Sequence, residues 1–114
     1  MSAAIIANLE KLLDGPRDGA LLRYALGNEW LKAGNAEQAV VRLREAIELD
    51  ARYSAAWKLL GKALTDSGHI AAALNAYEQG IVVAEGKGDL QAAKEMTVFA
   101  KRLRKQRADE LPSC

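Results

Sequence analysis

Cysteine occurs once, as Cys114 at the last position, so no disulfide can form within the chain and packing alone must hold the fold. A lone thiol suits a reducing compartment, and the expected location is cytoplasmic. No secretory leader is expected, because the apolar stretch 3–7 has no basic residue before it and Glu10 and Lys11 soon follow. No stretch approaches the roughly 20 apolar residues needed to cross a bilayer. Proline is confined to Pro16 and Pro112, leaving a long interval free of the residue that breaks helices. Aromatics are few, and β-branched residues do not alternate, so there is no strand signature.

Groups that carry chemistry are equally sparse. His69 is the only histidine and has no Cys or acid at a metal-ligand spacing. Cys114 sits on a tail that cannot be held against a base. Gly86 and Gly88 lack the rest of any phosphate-binding fingerprint and follow no strand. Glu45, Glu48 and Asp50 read as solvated charges on the outer side of a helix. The expectation is a protein that is not an enzyme, with no metal and no cofactor.

Half of the residues are hydrophobic, chiefly Ala, Leu and Ile, which is enough for a core and favours helix over 114 residues, the length of one domain. The formal net charge of +1 gives no overall pull toward nucleic acid or a membrane. Lys94, Lys101, Arg102, Arg104, Lys105 and Arg107 stand against the single acid Glu95 between Lys94 and Arg107, a local charge of +5. With no aromatic among the basic residues from Lys101 to Arg107, that cluster reads as the polar outer face of a last helix.

A period organises the middle of the chain. Leu26 and Gly27 recur as Leu60 and Gly61, an offset of 60 − 26 = 34, and Gly34, Ala39 and Ile47 recur as Gly68, Ala73 and Ile81 at the same offset. Leu43 answers to Tyr77 and Ala46 to Gly80. Leu-Gly on a first helix, a turn Gly, then small and large residues on a second helix: this pattern resembles the tetratricopeptide repeat. Repeat one covers residues 20–53 and repeat two 54–87, with Trp57 at the early aromatic position of repeat two and Arg23 at that position in repeat one. The segments LLRYALGNEW, AAWKLLGKAL and QAAKEMTVFAKRLRK are similar to small free-standing bacterial members of the family.

The resemblance implies an all-α helix-turn-helix solenoid of two repeats with a capping helix at each end, about six helices. Gly27 and Gly61 are expected to let the first helix approach Ala39 and Ala73, and Gly34 and Gly68 to end it. Leu22, Leu26, Trp30, Leu43 and Ile47 should fill repeat one, and Trp57, Leu60, Leu64, Tyr77 and Ile81 repeat two. Residues 1–19 form the N-terminal cap, with Ser2 as helix N-cap, Ile5, Ile6, Leu9, Leu12 and Leu13 on one face, and a stop at Asp14-Gly15-Pro16. Residues 88–114 form the C-terminal cap and tail: Asp89 caps a helix to about Arg107 whose apolar face is Ala92, Ala93, Met96, Phe99, Ala100 and Leu103. Asn35 is the expected cap of the second helix of repeat one.

In this family the first helices of successive repeats line a concave groove. Matched by position, repeat one offers Leu21, Tyr24, Asn28, Leu31 and Lys32, and repeat two Ala55, Lys58, Lys62, Thr65 and Asp66. Asn28, Lys58 and Lys62 match residue types that grip a terminal carboxylate in chaperone-binding members, although Tyr24 stands where those carry another Lys. The expected partner is a protein or peptide segment, acidic or ending in a carboxylate, with no nucleic acid and no membrane, and the chain a monomer or weak homodimer. Self-association through the N-terminal helix and polyanion binding through the basic last helix are the alternatives.

Overall fold

The computed structural model describes residues 2–110, the side chains of Ser2 and Glu110 excepted. Cys114, Pro112 and the capping role expected of Ser2 lie outside the described residues. Within them there are six helices and no strand: α1 (Ser2–Glu10), α2 (Ala20–Lys32), α3 (Ala36–Leu49), α4 (Ser54–Asp66), α5 (Ile70–Gly86) and α6 (Leu90–Glu110). The all-α solenoid expected from the repeat is the observed architecture. No described helix is long and apolar enough to cross a membrane.

Local chemistry sets the boundaries. Gly34 and Gly68 end α2 and α4 with φ of 81° and 84°, where an L side chain is strained. The two turns close identically: Asn35 N donates to Trp30 O at 2.9 Å, and His69 N to Leu64 O at 2.8 Å. Asn35 Oδ1 accepts from Gln38 N at 3.1 Å and Asp89 Oδ1 from Ala92 N at 3.2 Å, so both expected caps form.

Packing inside each hairpin corrects one detail. A Cβ on Gly27 would lie 2.5 Å from Leu43 Cγ, and one on Gly61 2.5 Å from Tyr77 Cζ. The notches therefore receive Leu43 and Tyr77, one helical turn beyond Ala39 and Ala73, because only the larger side chains reach across the crossing. Gly80 is a third notch, filled by Met96 and Trp57.

The N-terminal cap is narrower than its sequence implies. α1 ends at Glu10, so Leu12 and Leu13 fall in the following turn. Ile6 is buried on Leu22 and Leu26, with Leu9 and Leu13 partly covered, whereas Ile5 and Leu12 face solvent. At the other end α6 runs three residues past Arg107 and buries Ala93, Met96, Ala100 and Leu103, with Ala92 and Phe99 partly covered. It packs on α5 and touches α4, as α4 packs on α3 and touches α2.

Arg23 replaces aromatic packing with charge. Its guanidinium donates to Asp18 at 2.9 Å from Nε and 2.5 Å from Nη2, and Nη1 lies 2.9 Å from Glu45 Oε1. Glu45 also accepts from Arg42 at 2.9 Å, and Arg42 reaches Glu10 on α1 at 3.7 Å. Glu45 is thus a half-buried ion-pair partner and not a solvated charge, while Glu48 and Asp50 are exposed as expected. The Arg23 guanidinium holds the Asp18 carboxyl far below the usual range, helped by the Asp14 amide. Burial raises the Glu45 carboxyl, but hydrogen bonds from Arg42 and Arg23 outweigh it, and the net direction is down. Carboxyls depressed in this way stabilise the fold above their unfolded values of about 4, and that contribution is lost as pH falls through the folded values. Arg23→Met should therefore lower the melting temperature by on the order of 5 °C at pH 7. Melts from pH 7 to pH 2 should show its deficit shrinking below about pH 4, as the carboxyls of the unfolded chain take up protons; a deficit independent of pH would mean that Arg23 acts through packing alone.

Candidate functional site: the cleft along α2, α4 and α6

The first helices of the two hairpins and the capping helix leave a cleft of about 430 Å³. Tyr24 from α2 stands on one side and Phe99 from α6 on the other, with Ala55, Lys58, Leu59, Lys62, Thr65 and Asp66 from α4 between them. Tyr77 from α5 completes the wall. It gets there because Gly61 has no side chain: the phenol ring passes through the α4 notch.

The aromatic groups are braced. Tyr24 lies against Tyr53 with ring centroids 5.0 Å apart and a 30° tilt, and Tyr77 against Phe99 at 5.5 Å and 34°. Burial pushes the Tyr77 phenol up, with Thr65 pulling the other way, so the ring stays neutral at ordinary pH. Thr65 Oγ1 donates to Gly61 O at 2.8 Å, which fixes its side chain along α4.

The two lysines do not face each other across an open anion seat. Lys58 Nζ lies 2.6 Å from Glu95 Oε1 of α6, and Lys62 Nζ lies 3.4 Å from Asp66 Oδ2 one turn along α4. The Lys58 ammonium holds the Glu95 carboxyl below its usual range. Each cleft cation thus has its own carboxylate, and the cleft is close to charge-balanced.

Of the groove residues expected from the repeat positions, Tyr24, Lys58, Lys62 and Thr65 line the cleft, with Ala55 and Asp66. Leu21 is exposed outside it, Leu31 packs partly on the core, and Lys32 pairs with Glu29 at 3.3 Å. Asn28 is half-buried on α2 and does not reach the cleft either. Leu59, Tyr77 and Phe99 are the lining residues that repeat position did not supply. The signal for Tyr77 was present as the Gly61 notch, since a glycine in a helix marks where a ring can cross.

Among the described residues no group of three or more His, Cys, Asp and Glu side chains is placed to hold a metal ion. His69 is half exposed, with Nε2 3.5 Å from Glu37 Oε1.

Residues 20–104 match the family model of the bacterial transcriptional activator domain. A TPR repeat-containing protein of Pseudomonas aeruginosa is 50% identical over 103 residues, spanning 90% of this chain and 98% of that protein. The solution structure of a Bordetella parapertussis protein superposes with a TM-score of 0.80 at 40% identity, over 93% of this chain and 92% of that one. The crystal structure of the Sgt2 TPR domain from Aspergillus fumigatus gives a TM-score of 0.80 at 27% identity, over 99% of this chain and 76% of that one. The chain belongs to the tetratricopeptide-repeat family and, over residues 20–104, to the helical-repeat family of the bacterial transcriptional activator domain.

Proposed function

We propose that the chain is a non-catalytic module that holds a peptide segment of a partner protein in the cleft along α2, α4 and α6. Tetratricopeptide-repeat domains are, as a class, protein–protein interaction modules. The observation that carries the reading is the combination of three braced rings, Tyr24, Tyr77 and Phe99, with two lysines at the edge of one cleft. Rings offer large contact area at low entropic cost.

The charge balance refines what the cleft selects. A peptide carboxylate has to compete with Glu95 for Lys58 and with Asp66 for Lys62, so net electrostatic gain is small. Apolar side chains on the rings supply most of the affinity, and an acidic or carboxylate-ending segment sets orientation. A groove of two repeats and a cap is short, and affinity should be modest unless it is multiplied by avidity.

The test is an NMR titration with a carboxylate-ending peptide carrying two apolar residues. Shifts are expected at Tyr24, Lys58, Lys62 and Thr65. Tyr24→Ala should weaken binding about tenfold, or roughly 1.4 kcal/mol. Lys58→Glu with Lys62→Glu should weaken it further and leave the far-ultraviolet dichroism unchanged. Shifts confined to α1, or to the solvent face of α6, would remove this cleft from the reading.

A further inference from the structure

α2 is covered by α3 and α4 by α5, each within one hairpin. α6 stands to α5 and α4 as α4 stands to α3 and α2, so it occupies the place of a third first helix. No described helix covers it in turn. What α6 shows on that open flank is a trough of about 520 Å³ between the end of α5 and its own surface, lined by Glu85, Leu90, Ala93, Lys94, Thr97 and Val98. Thr97 Oγ1 is spent on Ala93 O at 2.8 Å, leaving its methyl group to the trough. Leu90 and Val98 are 62% and 46% exposed on this flank.

Charge continues the trough. Lys94, Val98, Lys101 and Lys105 follow one another at four, three and four residues, which places them in one stripe along about 17 Å of helix. All three lysines are exposed and make no ion pair with a described residue. Their basic neighbours are committed: Arg104 pairs with Glu78 at 2.9 Å, and Arg102 lies over the Phe99 ring at 5.9 Å.

We propose that this flank of α6 is a second docking surface, separate from the cleft, and that its occupant is one amphipathic helix of a partner protein with an apolar stripe and an acidic flank. The apolar stripe fills the trough beside Leu90 and Val98, and the acidic residues meet Lys94, Lys101 and Lys105. The bound helix stands where the second helix of a third hairpin would stand. A second copy of this chain is the wrong chemistry: its most open apolar helix, α1, carries a single acid, Glu10, which already faces Arg42 at 3.7 Å.

The experiment uses the full chain and two synthetic 18-residue peptides of equal composition, rich in Leu and Glu. One has Leu at helical three- and four-residue spacing, and the other is scrambled. Amide shifts at Leu90, Thr97, Val98 and Lys101 are expected with the first peptide only. Lys101→Glu with Lys105→Glu should weaken binding at least tenfold, as should Val98→Glu. These positions are exposed, and unchanged dichroism checks the fold. Tyr24→Ala should leave this binding untouched, which separates it from the cleft. Equal binding of the scrambled peptide would reduce the surface to a plain polyanion site and overturn the proposal. So would shifts located at Tyr24 and Lys62, or peptide-independent dimerisation that broadens the α6 amides.

Discussion

Gly61→Leu is expected to abolish the native fold, and Gly61→Ala to lower its melting temperature. The argument runs against propensity, since replacing glycine by alanine inside a helix ordinarily gains about 1 kcal/mol. Here the new methyl carbon would sit 2.5 Å from Tyr77 Cζ, so the ring would have to shift out of the notch that seats it against Phe99. Overpacking of this kind costs about 1–3 kcal/mol for a few added atoms, and more for a leucine. Gly27 should behave alike against Leu43. Gly86 is the control: a Cβ there meets nothing within 4 Å, so Gly86→Ala should be neutral or slightly stabilising. Thermal melts of the three alanine variants decide it; a Gly61→Ala chain that melts above wild type would mean that Tyr77 can leave the notch.

The second large effect is removal of α6. Deleting the chain from Asp89 onward takes away Met96, Ala100 and Leu103, all buried, and uncovers Gly80 and Ala84 on α5. A fully buried Leu or Met side chain contributes about 1.5–3 kcal/mol. Losing several such contacts consumes much of a domain stability that is only about 5–15 kcal/mol. The truncated chain should lose its cooperative urea transition and elute as aggregates, because the end of a solenoid needs a polar outer face. It should also lose cleft binding, since the Phe99 wall leaves with the helix. A monomeric truncated chain with an unchanged melting curve would mean that α6 is an appendage.

The repeat was legible because each feature that defines it acts through the backbone or through helical period. Gly34 and Gly68 must end a helix, Asn35 and Asp89 must cap one, and an offset of 34 keeps hairpins in register. The partners of the glycine notches were less legible. Spacing pairs Gly27 with Ala39, but size decides that Leu43 fills the gap. Arg23 gave no sequence signal for its three-way bridge, because Asp18 lies in a loop and Glu45 on another helix, and no local rule brings them together. For the same reason Leu21, Asn28, Leu31 and Lys32 of the expected groove set lie outside the cleft. Repeat position says which face of α2 a residue is on, but how far the cleft extends depends on α6, which departs from the repeat.

The pattern of helix neighbours has a kinetic consequence. Among the described residues no helix closely approaches another beyond the next but one. No long loop has to be closed before native contacts begin to form, and low contact order of this kind goes with fast folding. It also distributes protection unevenly. α4 is contacted by α2, α3, α5 and α6, whereas α1 packs on α2 and meets α3 through the Glu10–Arg42 pair. Local opening therefore begins at the ends and reaches α4 last, so the helix carrying both cleft lysines exchanges its amide hydrogens most slowly.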